Sequence, residues 1–506
     1  MNKIKLYIIA LLISSPFVSC NDWMDLYPDN MQTTGQYWQS KEDVEAVVAA
    51  GYVRLRECVE YMFVWGEMRG ESVGIASATA NDNIKAAQKL REVDITPSNM
   101  YAKWDKFYKV IGLANSVLEY GANVRQVDPS LTEGELNSYY SEAYFLRSLA
   151  YFYLVRTFKE VPLILYAYVE DDQDFNIPKS TEEEVLDQII EDLKLALKTS
   201  KDYYSETNLL NPRHTKGRAT RWAINALLAD VYLWKGDYDE CIKSCNNVID
   251  NNITELGYNK IDLVSTENWF TNYYPGNSIE SIFEIQYDYS KNQKNDFVDW
   301  FATTQLYTVT TQMAFMFEDT RLQGDIRGAN MSYYNLPTPV IWKYVGVKKI
   351  EGTAQARPSD EYDQNFIIYR LAEIYLMKAE ALIMQGKFGD ATEIIAKVRE
   401  RAGIVESLSQ RSTEYDMLSL LMWERARELF GEGKRWYDLL RMARRHDYAY
   451  KEYMITYVLT ALTPGQSSIA RSKLADPNAH YLPIHQDEIA ANKMLEQNPY
   501  YDNIGK

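Results

Sequence analysis

Apolar residues recur along this chain at the three-and-four spacing of a helix face. Val44, Val47, Val48, Gly51, Tyr52 and Leu55 make one such stripe; Ala143, Leu146, Leu149, Ala150, Tyr153 and Leu154 make another. The same period predicts helices over 41–57, 100–120, 135–158, 181–199, 217–250, 366–402 and 413–445. Ser180, followed by Thr181 and three glutamates, sets a hydroxyl cap and acidic charge where a helix dipole favours them. Strand-like alternation is confined to 279–287, around Ile282, Phe283 and Ile285. Strand and helix do not alternate repeatedly, which argues against a doubly wound sheet or a barrel.

Two of the helical stretches repeat each other at an offset of 150 residues. Ala229 corresponds to Ala379, Gly236 to Gly386, Tyr238 to Phe388, Cys241 to Ala391 and Val248 to Val398. A helix, a glycine turn with an aromatic two residues on, and a small residue in the second helix make the tetratricopeptide pattern. One such unit cannot bury its own apolar face, so units must stack. The expected fold class is mainly α: a tetratricopeptide-like helix-pair superhelix carrying an aromatic-rich insertion of loops and short strands. The expected division is a leader at 1–19, an N-terminal helical half at 20–250, a loop-rich insertion at 251–365 and a C-terminal helical half at 366–506.

Composition narrows the chemistry. The chain has 506 residues, and 54 basic against 71 acidic side chains give a net charge of −17. An acidic balance argues against nucleic acid as a partner, because that needs a basic face. Only 4 His and 4 Cys stand beside 40 Tyr and 11 Trp, so a metal centre is not expected and the aromatics need a role. Cys241 and Cys245 sit one helical turn apart, yet no histidine lies nearer than His214, which leaves a zinc site short of ligands. They read as small core residues.

The first twenty residues set the expected compartment. Lys3 and Lys5 precede an apolar run at 6–13, too short to span a bilayer and suited to a secretory leader. Ser19 followed by Cys20 resembles a bacterial lipobox, so Cys20 is the expected acylated N-terminus, anchored through several acyl chains.

Catalytic patterns are weak. Gly70-Glu71-Ser72-Val73-Gly74 is a literal nucleophile-elbow motif, and the apolar run 61–65 before it resembles a strand. The small polar residues after it do not form the required helix, and a parallel sheet is missing. His446, His480 and His485 lie downstream, but order along the chain does not make a triad. The basic run 434–445 has helical apolar spacing and reads as a packed helix with a solvated basic face. No phosphate loop or dinucleotide fingerprint is present, and no cofactor is expected.

Taken together, several segments resemble one family. Asp22, Trp23, Met24, Asp25, Leu26 and Pro28 resemble the stretch that follows a lipid anchor; Trp104, Tyr108, Ile111 and Asn115 match a helix signature. The run from Glu142 to Phe158 with Val161, Pro162 and Leu163, then Gly217 to Thr220, fit the N-terminal half. Arg370, Glu373, Ala379 to Ala381, Val398, Arg399, Arg401 and Gly403 fit the C-terminal half. So do Glu424, Arg425, Glu428, Leu429, Gly433, Arg435, Trp436, Asp438 and Leu439, with Pro483, Glu488 and Gln497 to Pro499 at the end. On these motifs the chain resembles the SusD/RagB family of Bacteroidetes lipoproteins. The resemblance implies an outer-membrane protein, lipid-anchored and facing the exterior. It would capture polysaccharide or oligosaccharide without cleaving it and deliver it to a SusC-like TonB-dependent transporter.

That implication gives the aromatics a role. Eleven lie between 265 and 307, in a segment rich in Asn, Asp, Gly and Lys. Phe283 is at strand spacing and reads as core. Trp269, Tyr273, Tyr274 and Trp300 are the candidate stacking platform. Trp65, Arg69 and Asn81, with Asp82 and Asn83, form a second candidate patch, where a forked guanidinium spans two hydroxyls; the alternative is an Arg69–Glu67 structural ion pair. Trp104 matches a scaffold position. Two rivals to glycan capture remain: a peptide-uptake or purely structural lid on the transporter, and a hydrolase using Ser72.

Overall fold

Ser40 opens the first helix of the described residues with a closed capping box. Its hydroxyl accepts from the Asp43 amide while the Asp43 carboxylate accepts from the Ser40 amide at 2.7 Å. The helix that follows, α1 (Lys41–Glu57), buries Val44, Val47, Val48, Gly51 and Leu55, the stripe marked by the spacing. The computed structural model describes residues 37–76, 81–168, 173–206, 208, 211–250, 260–335 and 339–502. The leader, Cys20 and the 22–28 motif lie outside the described residues.

Along the chain come α2 (Val59–Glu67), β1 (Val73–Ile75), α3 (Asp82–Arg91), α4 (Asp105–Val127), α5 (Glu133–Phe158), α6 (Glu182–Leu197), α7 (Arg221–Lys235) and α8 (Tyr238–Ile249). An irregular stretch then holds β2 (Ser281–Ile285), β3 (Tyr307–Val309), α9 (Thr311–Arg321), β4 (Tyr333–Asn335) and β5 (Pro339–Ile341). After β6 (Phe366–Arg370) the chain is helical again, with α10 (Leu371–Met384), α11 (Phe388–Arg401), α12 (Glu414–Glu428), α13 (Arg435–Tyr448), α14 (Lys451–Thr460) and α15 (Pro464–Leu474). The fold is mainly α. The described strands pair only two by two, all antiparallel: β1 with β3, β2 with β6, β4 with β5. No helix of the described residues is long and apolar enough to cross a membrane.

Helices pack in a line: α1 on α4, α4 on α5, α5 on α6, α6 on α7, α7 on α8, α8 on α10 and α10 on α11. The two repeated units turn at Gly236 (φ +90°) and Gly386 (φ +72°), left-handed values that side chains with a Cβ resist. Cys241 and Ala391, the small residues of the second helices, are completely buried. The helices α8 and α10, which flank the irregular stretch in the chain, touch directly.

Some expectations need correcting. Residues 366–370 do not start a helix; they form β6, which pairs antiparallel with β2 across shifts of register at Phe283. All five are buried, so the helix-like apolar run is that of a strand covered on both faces. The stretch 413–445 is two helices, separated by a turn with Gly431 and Gly433 at positive φ. The cap before α6 is Thr181, not Ser180: its hydroxyl and the Glu184 carboxylate close the box. The basic run does not present a solvated face. Lys434, Arg435, Arg441 and Arg445 are buried, and Arg441 meets Glu380 at 2.7 Å and Asp438 at 2.9 Å.

Charge also knits the insertion to the array. Arg370, the last residue of β6, reaches Glu280 at 2.8 Å, Glu428 at 2.5 Å and Glu432 at 2.9 Å. Arg401 of α11 pairs with the same Glu280 and Glu428. Arg327 pairs with Asp325, Glu424 and Glu428. All these groups are buried. Burial alone would push the Glu432 carboxyl up, but Arg370 and Lys343 draw it down to about 2.

Candidate functional site

The surface edge with the strongest claim to a site is built by the β1–β3 ladder. Val73 faces Val309, Gly74 faces Thr308 and Ile75 faces Tyr307. The ladder continues by one bond, from the Ala76 amide to the Leu306 carbonyl (3.0 Å), and the Leu306 amide donates to the Trp300 carbonyl (2.7 Å). Ala76, just past β1, and the turn holding Trp300 therefore lie at one end of one ladder. Two segments more than 200 residues apart in sequence meet there.

Trp300 is half-buried. Its indole rests on Phe297 (centroids 5.3 Å), Tyr307 (5.8 Å) and Phe63 (6.3 Å), which leaves it ordered but not enclosed. Gln305, at φ +48°, and exposed Thr304 follow it. Asn81 is exposed and caps α3, its side-chain oxygen accepting from the Ile84 amide at 3.1 Å. Asp82 is exposed beside it. Asn83 is half-buried and donates to Glu60 at 2.9 Å, so it braces α3 against α2. A half-open indole can stack on a flat C–H surface, and the exposed Asn81 and Asp82 at the start of α3 can bond hydroxyls.

Tyr274 makes a separate half-open ring. Its hydroxyl donates to Glu361 at 2.7 Å, which raises its pKa, and the Arg357 guanidinium sits 4.9 Å from the ring centroid. The peptide bond between Tyr274 and Pro275 is cis.

Four candidates are closed off. Trp65 is 1% exposed; it stacks on Phe107 (4.8 Å, 17° between planes), and its indole N–H donates to the Tyr101 carbonyl at 2.8 Å. Arg69 donates to the Ala479 and His480 carbonyls and lies 3.9 Å over the Trp436 ring; burial lowers its pKa to about 10. Nor does it pair with Glu67, which accepts from the Gly433 amide (2.8 Å) while burial pushes its carboxyl up to about 8. Trp269 is completely buried, with the Lys343 ammonium 5.3 Å from its ring. Tyr273 is buried and donates its hydroxyl to Glu432 at 3.0 Å.

For Trp269 and Tyr273 the physical reason is shared. Irregular spacing between 265 and 307 does not put rings outside, because these loops pack their aromatics on one another. Tyr273, Tyr344, Phe297 and Phe63 form a continuous series of ring contacts with centroids 5.0–5.9 Å apart. Only Tyr274, Tyr289 and Trp300 of the eleven reach the surface. Phe283 is core, edge-on to Phe145 at 5.0 Å. Trp104 is buried against Phe158.

The Ser72 elbow does not form. Residues 61–65 belong to α2 rather than a strand, Ser72 is 1% exposed, and the chain runs on into an antiparallel strand instead of a helix. Helical spacing did not reveal two exposed rings between α5 and α6, Tyr166 and Phe175, with half-buried Tyr168 beside them. Their non-helical spacing beside a run of acids was the available signal.

Comparisons with known proteins converge. Residues 288–501 match the model of the SusD family, and residues 22–233 match one described as starch-binding, associating with outer membrane. SusD-like protein P38 of Formosa agariphila is 26% identical over 492 residues, covering 87% of this chain and 91% of that one. A solved SusD-superfamily protein of Bacteroides thetaiotaomicron superposes with a TM-score of 0.71 at 21% identity, covering 91% of this chain and 100% of that one. A solved laminarin-binding SusD-like protein superposes with a TM-score of 0.67 at 22% identity, covering 91% of this chain and 99% of that one.

Proposed function

Since the chain belongs to the SusD/RagB family, we propose that it is a surface lipoprotein that captures a polysaccharide or oligosaccharide without cleaving it. It is anchored through Cys20 to the outer membrane, faces the exterior, and hands its ligand to a SusC-like TonB-dependent transporter. The half-open indole of Trp300 carries this reading: its inner surface is fixed by Phe297 and Tyr307, and the rest stays open to ligand. A pyranose lays its C–H surface on the ring, and the exposed Asn81 and Asp82 take hydroxyls. Tyr274 is a second contact at the insertion's surface. The laminarin-binding protein of the same fold and the starch-binding family description support a glycan as the ligand class. They do not choose the glycan, because the loops that carry Trp300 and Asn81 choose it.

The test is affinity electrophoresis of the mature protein in gels containing laminarin, starch, xylan, mannan or pectin. Retention in at least one gel is expected, weakened about tenfold by Trp300→Ala with an unchanged melting temperature. No retention in any gel, with co-purification of a TonB-dependent barrel, overturns glycan capture in favour of a peptide-uptake or structural lid.

A further inference from the structure

A second aromatic face lies on the helical array rather than on the insertion. Between α4 and the segment joining α5 to α6 is a cleft of about 390 Å3, within the roughly 300–1,000 Å3 of ligand clefts. Tyr108 and Ile111 of α4 form one wall. The other carries Tyr166 and Phe175, 43% and 56% exposed.

These exposed rings are held in place. Tyr168 stacks on Phe175 with centroids 4.8 Å apart and planes 22° from parallel. The Tyr166 and Tyr168 hydroxyls are 3.0 Å apart, and the Tyr168 hydroxyl lies 3.0 Å from the Asp174 carbonyl. A platform ordered in advance loses little freedom when a ligand settles on it.

The floor points the same way. Gly112 lies in the middle of α4, where glycine is less stable than alanine. A Cβ there would meet no atom of another described element within 4 Å, so packing against those elements does not require the glycine. What its missing side chain provides is depth in the cleft. The rim is polar and of mixed sign, with Asp105 and Lys109 on α4 and Glu488 and Asn492 opposite.

We propose that this cleft is a second carbohydrate subsite, taking one or two neutral hexopyranose rings. Ring walls receive the C–H surfaces, and the carboxylates and amide of the rim receive hydroxyls; the mixed rim charge favours a neutral sugar over a uronate. The assignment rests on the glycan-binding reading above.

The test uses the mature protein in the same five polysaccharide gels, with Gly112→Trp to fill the cleft and Phe175→Ala to remove a ring. Each variant is expected to weaken retention about three- to tenfold in a gel that retains the wild type, with an unchanged melting temperature. Combining Gly112→Trp with Trp300→Ala is expected to weaken it further than either change alone. Retention indifferent to both cleft variants but lost in Trp300→Ala overturns this subsite and leaves the function standing. No retention of the wild type overturns both. Gly112→Trp that releases a co-purifying barrel while retention is unchanged assigns the cleft to a protein partner, and overturns the proposal.

Discussion

At Trp65 the indole is stacked by Phe107, met edge-on by Phe158 and tied at its N–H by the Tyr101 carbonyl. Trp65→Ala is therefore expected to cost ~3–5 kcal/mol, read as a lowered guanidinium midpoint, with glycan affinity of the folded protein unchanged. A stable variant that loses affinity would move Trp65 back into the ligand site. Glu67, one helical step past Gly66, makes a pH prediction. Its folded carboxyl keeps the proton up to about pH 8, whereas the unfolded chain releases it near 4.5. Folding then takes up a proton between those values, so this group's contribution to stability is full below 4.5 and falls as pH rises to 8. Glu67→Gln removes the dependence. Relative to wild type its stability should rise between pH 5 and 8, by at most ~1.4 kcal/mol per pH unit. Parallel melting curves for the two proteins across that range would falsify the assignment of a protonated Glu67.

Two glycines in open space show how an element decides the sign of a substitution. Among the described residues, a Cβ at Gly386 or at Gly112 would touch nothing of another element within 4 Å. Gly386 sits at φ +72° in the turn between α10 and α11, so Gly386→Ala should cost ~1–2 kcal/mol through the backbone alone. Gly112 is within a helix, and Gly112→Ala should stabilise by ~0.5–1 kcal/mol. Thermal melts of the pair check both signs at once. The same contrast explains what the sequence made legible. The turns at Gly236 and Gly386 could be read because their residue type and spacing follow from local backbone needs. So could the span of α1, whose apolar stripe from Val44 to Leu55 keeps the helix period. The strand at 366–370 could not, because a strand buried on both faces has the unbroken apolar run of a buried helix. The candidate site was only partly legible for a related reason. Exposure of a loop aromatic depends on which other loop lies over it: Tyr344 lies far along the chain from Tyr273 and Phe297, yet their rings touch.

Across the whole molecule, buried charge joins pieces that apolar contacts alone would leave less specifically registered. Arg370→Met would leave Glu280, Glu428 and Glu432 short of a cation in the interior, and should cost ~3–5 kcal/mol in equilibrium denaturation. A loss under ~1 kcal/mol would mean that Arg401, Arg327 and Lys343 suffice. Because the folded Glu432 carboxyl is held at about 2, its contribution is complete above about pH 4.5 and is lost as pH falls toward 2. The wild type should therefore weaken across that acid window more steeply than Arg370→Met.

The direct packing of α8 on α10 has a further consequence for how such a chain diversifies. A segment whose two ends meet at adjacent helices can be lengthened or replaced without moving the helices that hold it, since closing a longer loop costs little more than closing a short one. We propose that the array acts as a socket, and the irregular piece between α8 and β6 as an exchangeable head. The socket is not indifferent to what is plugged in. Glu428 and Arg401 on its side wait for Glu280 and Arg327 from the head. A transplanted head with any binding specificity has to carry that acid and that guanidinium, and one without them should fail to seat however well its own loops fold.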